Sequence, residues 1–212
     1  MFHFTIYDDE IKYLVSADNR LGALIQRIGD ITVPTSENYF ESLAKSIIGQ
    51  QLSNKAANII TSNVLNHCGE LSPKTILTVT QDVLRNCGLS KPKVTYLKDL
   101  SFRVVQGDIV FNELGGMTDT EVIQYLTQVK GIGQWTAEMF LIFSLGRINV
   151  FSFGDAGLRR AIRWLYQFDD TMSEGDVTCL TEKWNPYKTV ASLYLWESIN
   201  SGLVQPSKPF DI

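Results

Sequence analysis

VKGIGQWTAEM, residues 129–139, decides how the rest of the chain is read. Gly131 and Gly133 stand two apart, and Trp135 and Thr136 follow at the start of an apolar run, AEMFLIFSLG. Upstream, TDTEVIQYLTQV has helical spacing and opens with Thr118 and Glu121 at capping-box distance. The pattern is therefore helix, short glycine hairpin, helix. Glycines there permit a positive φ and remove side chains. Ile132 between them turns inward to pin the hairpin. Backbone N–H groups at the start of the second helix lack intrahelical acceptors and point outward, where a phosphate can take them. A plain turn between two helices would have the same spacing.

Working outward, most of the chain has helical periodicity. In YFESLAKSIIGQQL the apolar residues Phe40, Leu43, Ile47 and Ile48 recur at three and four. SNKAANIITSNVLNHCG offers Ser53 as a cap, Ala56, Ile59, Ile60 and Leu65 as a stripe, and Gly69 as a stop. SKPKVTYLKDLSFRVVQG has Ser90 at the cap, Pro92 in the first turn, a stripe of Leu97, Leu100, Val104 and Val105, and Gly107 at its end. GLRRAIRWLYQF and YKTVASLYLWESINSG read as two more helices. Residues 1–35 lack so clear a pattern, and FHFTIYD alternates weakly, as a short strand or an arm would. The periodicity predicts an all-α protein with short turns between antiparallel neighbours.

Composition narrows the class. In 212 residues, 44% are apolar and 20% charged, as expected of one globular domain or two small lobes. The N-terminus has no basic segment followed by an apolar core, and there is no apolar run of about 18 residues, so neither a signal peptide nor a membrane span is expected. Cys68, Cys87 and Cys179 lie far apart, the pattern of reduced thiols and not of a disulfide frame, a zinc site or an iron–sulfur cluster. The net charge of −4 argues against a protein that holds nucleic acid chiefly through a basic surface. Backbone amides and a helix dipole soften that objection, because they bind phosphate without adding Lys or Arg.

V-K-G-I-G-Q-W-T-A resembles the helix–hairpin–helix of the DNA glycosylase superfamily. The likeness continues into NVFSFGDAGLRRAI, back through SIIGQQLSNKAA and GLSKPKVTYLKDL, and forward through WNPYKTVASLYLW, roughly residues 40–200. The branch it is most similar to is DNA-3-methyladenine glycosylase II, although only about 40 residues precede the helical core, too few for the amino-terminal β domain of the best-known bacterial member. The resemblance implies two helical lobes with a cleft between them. Residues 1–36 plus 151–212 would form the terminal lobe, and residues 37–150 the central lobe carrying the hairpin.

It also implies roles. Asp155, by itself a good helix N-cap, stands where the family has its catalytic carboxylate. Cleavage of an N-glycosidic bond builds positive charge at C1′, which an anion stabilises; the same carboxylate can orient or deprotonate the attacking water. Gly131, Gly133, Thr136 and Lys130 would contact DNA at the hairpin. Gln51, with Leu52 as second choice, would fill the hole that a flipped base leaves. Trp135, Met139 and Trp196 would line the base pocket; Met139 replaces an aromatic of the bacterial relative. Bifunctional members carry a Schiff-base lysine where this chain has Trp135, so a monofunctional enzyme that leaves an abasic site is expected. No cofactor is expected to be required. A structural monovalent or alkaline-earth cation on the carbonyls of Thr127, Val129 and Ile132 is implied.

Of the other charged and aromatic residues, Arg159 would pair with Asp155 on one helix face or Arg160 would face phosphate, an exposed salt-bridge face being the more common outcome. Trp184 and Tyr187 pack, Lys188 approaches DNA, and Asp169 and Asp170 are solvated. The implied substrate is alkylated purine, 3-methyladenine or 7-methylguanine, in damaged double-stranded DNA. The protein would be a monomer without membrane association, in the cytoplasm or nucleoid of a bacterium or the nucleus of a eukaryote. The competing readings are a non-enzymatic helix–hairpin–helix DNA-binding module and a glycosylase for another lesion.

Overall fold

The computed structural model describes residues 1–169, 172–205 and 210; Asp170 and the last residues of the expected terminal lobe lie outside them. In chain order the elements are β1 (Phe2–Phe4), α1 (Asp9–Ala17), α2 (Asn19–Ile28), β2 (Ile31–Val33), α3 (Tyr39–Gly49), α4 (Asn54–Cys68), α5 (Pro73–Thr78), α6 (Gln81–Asn86), α7 (Lys91–Gln106), α8 (Asp119–Leu126), α9 (Gln134–Phe143), α10 (Ala156–Tyr166), α11 (Glu174–Thr181) and α12 (Lys188–Asn200). Short 3₁₀ turns cover Phe111–Gly116 and Glu182–Trp184. Among the described residues the protein is all-α apart from the antiparallel β1–β2 pair, in which Phe2 faces Val33 and Phe4 faces Ile31. Among the described residues no helix is long and apolar enough to cross a membrane. The chain divides into two units, residues 1–35 with 146–212, and residues 36–145.

In the first unit, α12 is buried along most of its length, from Thr189 to Leu195 and again at Ser198. Helices α1, α2 and α10 pack on it. Leu14, Leu21, Leu24, Ile25, Leu158, Ile162 and Leu165 supply the core, each burial contributing roughly 1.5–3 kcal/mol. Only one residue, Asp18, separates α1 from α2. Its carboxylate is buried and saturated with donors. Oδ1 accepts the N–H groups of Arg20 and Leu21, both at 3.1 Å, while Oδ2 accepts Tyr166 Oη–H (2.8 Å) and Trp184 Nε1–H (3.2 Å). Burial first, and then the Asp18 charge, push the Tyr166 phenol well above its ordinary range.

The second unit holds α3 to α9. The α3 helix packs against α4, α7 and α9, while α5 and α6 cover α7. Its helix ends follow the side-chain chemistry: Ser53 caps α4, Thr118 and Glu121 form a complete capping box on α8, and Gly69 and Gly107 end α4 and α7 with positive φ. Two stripes differ from expectation. On α7 the buried face is Val94, Leu97, Leu100 and Ser101, and Val105 is exposed, because the helix runs on beyond what packs against it. On α4 only Val64 is fully buried and Ile59 is exposed, as that helix lies on the rim of the unit. All three cysteines are free thiols, and burial raises those of Cys68 and Cys87.

Candidate active site

The hairpin lies in the second unit. The Val129 carbonyl accepts Ile132 N–H at 3.1 Å, closing the turn, and Val129 and Ile132 are buried. Gly131 takes φ +84°, and a Cβ there would lie 2.2 Å from Tyr96 Cδ2, so conformation and close packing both demand glycine. Gly133 differs. Its backbone is extended (φ −94°, ψ 176°), and a Cβ there would meet nothing within 4 Å. The expectation of positive φ thus holds for Gly131 alone. Gly133 caps α9 without a side chain and leaves the approach to that helix end open. Lys130 is exposed, its ammonium 3.8 Å from Asp99 Oδ1, a loose pair that contributes little. Its backbone N–H donates to Asp99 Oδ2 at 3.0 Å.

Trp135, on the first turn of α9, is 44% exposed despite its size, and Met139 one turn on is half-buried. Thr136, next to Trp135, is buried at 4% exposure. The candidate plug sits in the turn between α3 and α4. Gln51 is exposed with φ +58°, one of two non-glycine residues with positive φ among those described, and Leu52 is 38% exposed. Such a conformation costs about 1–2 kcal/mol and is kept only where surrounding contacts impose it. Here the preceding residue provides one, since Gln50 Nε2 donates to the Gly131 carbonyl at 2.7 Å. The structure thus joins the plug turn to the hairpin.

The carboxylate lies in the first unit. The loop before it is tied to the start of α12, where Thr189 Oγ1 accepts Val150 N–H (2.9 Å) and donates to the Arg147 carbonyl (2.8 Å). Asp155 N–H then donates to the Ser152 carbonyl, and its side chain caps α10, with Oδ1 accepting Leu158 N–H at 2.8 Å. The same Oδ1 accepts Trp196 Nε1–H at 3.1 Å, bringing two predicted site residues together. Gly157 makes room for them: a Cβ there would stand 3.0 Å from Asp155 Oδ1 and 3.6 Å from Trp196 Cδ1. Both side chains are half-buried. The Arg159 guanidinium lies 5.7 Å from the Phe153 ring centroid, a cation–π contact. Trp184 and Tyr187 pack as expected, Trp184 fully buried and Tyr187 edge-on to Tyr13. Lys188 is engaged by Glu182 at 2.7 Å and is mostly buried, which removes it as an open phosphate contact.

The expected cation donors are chemically consistent. Carbonyl oxygens are hard ligands suited to a monovalent or alkaline-earth ion, and the Val129 oxygen, with one N–H already bound, keeps a second lone pair. Among the described residues no cluster of three His, Cys, Asp or Glu side chains could hold a metal.

Comparison with known proteins places this geometry. Residues 44–186 match the HhH-GPD superfamily base excision DNA repair protein model. A DNA-3-methyladenine glycosidase from Bacillus halodurans superposes with a TM-score of 0.85 at 41% identity, covering 96% of this chain and 94% of that one. The 3-methyladenine DNA glycosylase of Schizosaccharomyces pombe, in complex with abasic DNA, superposes with a TM-score of 0.82 at 30% identity, covering 91% and 97% of the two chains. YfjP of Bacillus subtilis is 32% identical over 187 residues, 84% of this chain, which spans 65% of that protein's length.

Proposed function

The chain belongs to the HhH-GPD superfamily of base excision DNA repair proteins, and from that premise we propose that it is a monofunctional DNA glycosylase. It removes alkylated purines such as 3-methyladenine from duplex DNA and leaves an abasic site. Its relatives include enzymes that bear the 3-methyladenine glycosylase name, one of them solved on abasic DNA. It acts where DNA is held, in a bacterial cytoplasm or nucleoid or a eukaryotic nucleus.

In this reading the open end of α9 at Gly133 receives a backbone phosphate through N–H groups. Gln51, or Leu52 beside it, fills the space of the extruded base. Trp135 offers a π face to an electron-poor purine; stacking on a cationic alkylated base is worth roughly 1–3 kcal/mol. Asp155 stabilises the positive charge that grows at C1′ as the glycosidic bond lengthens, and orients the water that attacks there. The base leaves and the sugar gains a hydroxyl. An N3-alkylated adenine already carries positive charge, so no strong general acid is required. A cation on the carbonyls of Thr127, Val129 and Ile132 would hold the shape of the hairpin.

The observation that carries the proposal is the fixed carboxylate, with Asp155 Oδ1 held by Leu158 N–H and Trp196 Nε1–H. Supporting the monofunctional assignment is Trp135, an indole where a lyase needs an amine. The test is release of 3-methyladenine from methylated duplex DNA, with strand scission followed without added base and borohydride trapping run in parallel. Base release with intact strands and no trapped adduct is expected. A trapped covalent adduct overturns the monofunctional assignment. DNA binding without release of any methylated base overturns the substrate.

A further inference from the structure

The turn that carries Gln51 and the hairpin that carries Gly131 are far apart in sequence, yet one hydrogen bond joins them directly, Gln50 Nε2 to the Gly131 carbonyl at 2.7 Å. A single helix, α7, braces both ends of that link. Lys93 Nζ donates to the Ile48 carbonyl at 2.8 Å, holding the end of α3. Tyr96 lies flush against Gly131, where a Cβ would be 2.2 Å from its ring. Asp99 accepts Lys130 N–H at 3.0 Å and is itself held by Arg103 Nε at 3.0 Å. Burial lowers the Lys93 ammonium's pKa, the mark of a cation placed for a structural contact instead of a solvated one. The plug turn closes on itself through Leu52 N–H to the Gly49 carbonyl at 3.1 Å, and Gln51 is left with its left-handed φ of +58°.

These contacts make Gln50 more than a polar residue in a turn. It is half-buried, its amide is spent on a backbone carbonyl, and its neighbour is the strained residue. We propose that Gln50 is a positioning residue that locks the plug turn and the phosphate-binding hairpin into one preorganised element. Capture of the phosphate then sets the plug at a fixed offset from the nucleotide being extruded. Without the Gln50 amide the hairpin still grips DNA, but plug and grip move independently and fewer encounters extrude the base. The proposal rests on the glycosylase reading for its consequence in DNA, but not for the coupling itself.

The experiment compares wild type with Gln50→Met, which keeps length and flexibility but removes the donor, and with Gln50→Glu, which keeps shape and replaces the donor with an acceptor. Hydrogen exchange on the free proteins reports the coupling without DNA. In both variants exchange of the hydrogen-bonded amides of Ile132, Gln50 and Leu52 should rise about tenfold, the effect of one lost hydrogen bond, while that of α10 and α12 stays unchanged. Single-turnover base release, and the fluorescence of 2-aminopurine beside the lesion as a measure of extrusion, should fall about tenfold. Affinity for undamaged duplex should stay within about twofold, because the phosphate contacts survive. A merely structural role would lower binding and extrusion together. Unchanged exchange at the hairpin in a folded variant overturns the proposal, as does equal loss of duplex affinity and extrusion. If Gln50→Met fails to fold, Gln50→Glu decides by the same readouts. A wild type that releases no alkylated base, while the variants still loosen the hairpin, sinks the glycosylase reading and leaves the coupling standing.

Discussion

Asp155→Asn separates the two roles that one side chain holds. As a cap, Asn is nearly equivalent to Asp, because its carbonyl oxygen can accept Leu158 N–H and Trp196 Nε1–H in place of Oδ1. What it loses structurally is a charge at the helix N-terminus, about 0.3–1 kcal/mol. For a chain of this size that lowers Tm by roughly 1–4 °C. What it loses chemically is larger. A carboxylate about 4 Å from a developing unit charge, at an effective dielectric of about 20, contributes about 4 kcal/mol. That is about a thousandfold in rate, or about thirtyfold if only half the charge has formed at the transition state. Asp155→Ala should lose both roles, adding about 1 kcal/mol of cap energy to the same catalytic defect. Single-turnover release of 3-methyladenine, with duplex affinity and thermal melting on the same preparations, measures all three quantities. If Asp155→Asn releases base within about threefold of wild type, a difference of under 1 kcal/mol, the side chain is a cap alone and the catalytic assignment fails.

The two hairpin glycines should behave differently. Gly131→Ala meets a positive φ and the Tyr96 ring, and should destabilise by about 2–5 kcal/mol in urea unfolding; adding Tyr96→Ala removes the clash but not the strain, and restores only part. Gly133→Ala is expected to leave stability within about 0.5 kcal/mol, yet to weaken DNA binding about tenfold by crowding the phosphate approach; unchanged affinity would remove that helix end from the interface. Asp18→Ala strands Trp184 Nε1 and Tyr166 Oη and uncaps α2, a loss of about 3 kcal/mol or more, so an unfolding midpoint near that of wild type would refute the hub. The Glu121 carboxylate is held below its ordinary 4.5 by the N–H and then the hydroxyl of Thr118. A depressed carboxylate contributes stability that is full above its unfolded value and lost as pH falls through the lowered one, so Glu121→Gln should flatten the acid limb of a melting-temperature profile below about pH 5.

Much of the helical layout is legible because caps and stops are local chemistry. Ser53, Gly69, Gly107 and the Thr118–Glu121 box each end or begin a helix as their side chains require. What escapes is whatever depends on a neighbour. Helices α1 and α2 abut at Asp18, so the apolar phase resets within one residue and a window that spans both blurs the two periods. Val105 and Ile59 carry the right spacing but stay about half exposed. The supports of the hairpin were readable in part. Lys93, Tyr96, Asp99 and Arg103 fall three, three and four apart, a polar stripe on one face of α7. Such a stripe is ordinarily solvated, and only the fold shows that it braces the hairpin. Gln50 has no pattern at all, since its acceptor is a backbone carbonyl 81 residues away.

Among the carboxylates that accept backbone N–H groups, Asp99, Asp18 and Asp155 have settings that suggest different work. Asp99 spends Oδ2 on Lys130 N–H and Arg103 Nε, with its side chain only 15% exposed, and so fixes a turn. Asp18 is 5% exposed and takes two donors on each oxygen, which leaves it no capacity for a reacting group. Asp155 is half-buried, and its Oδ1 accepts both Leu158 N–H and Trp196 Nε1–H. A carboxylate that must stabilise a transient cation needs both a fixed direction and a face that substrate can reach. The capping signature that Asp18 and Asp155 share in sequence cannot distinguish them, because it reports only the first oxygen's bond to a helix. Burial distinguishes them: Asp18 is enclosed, whereas Asp155 is the more open of the two.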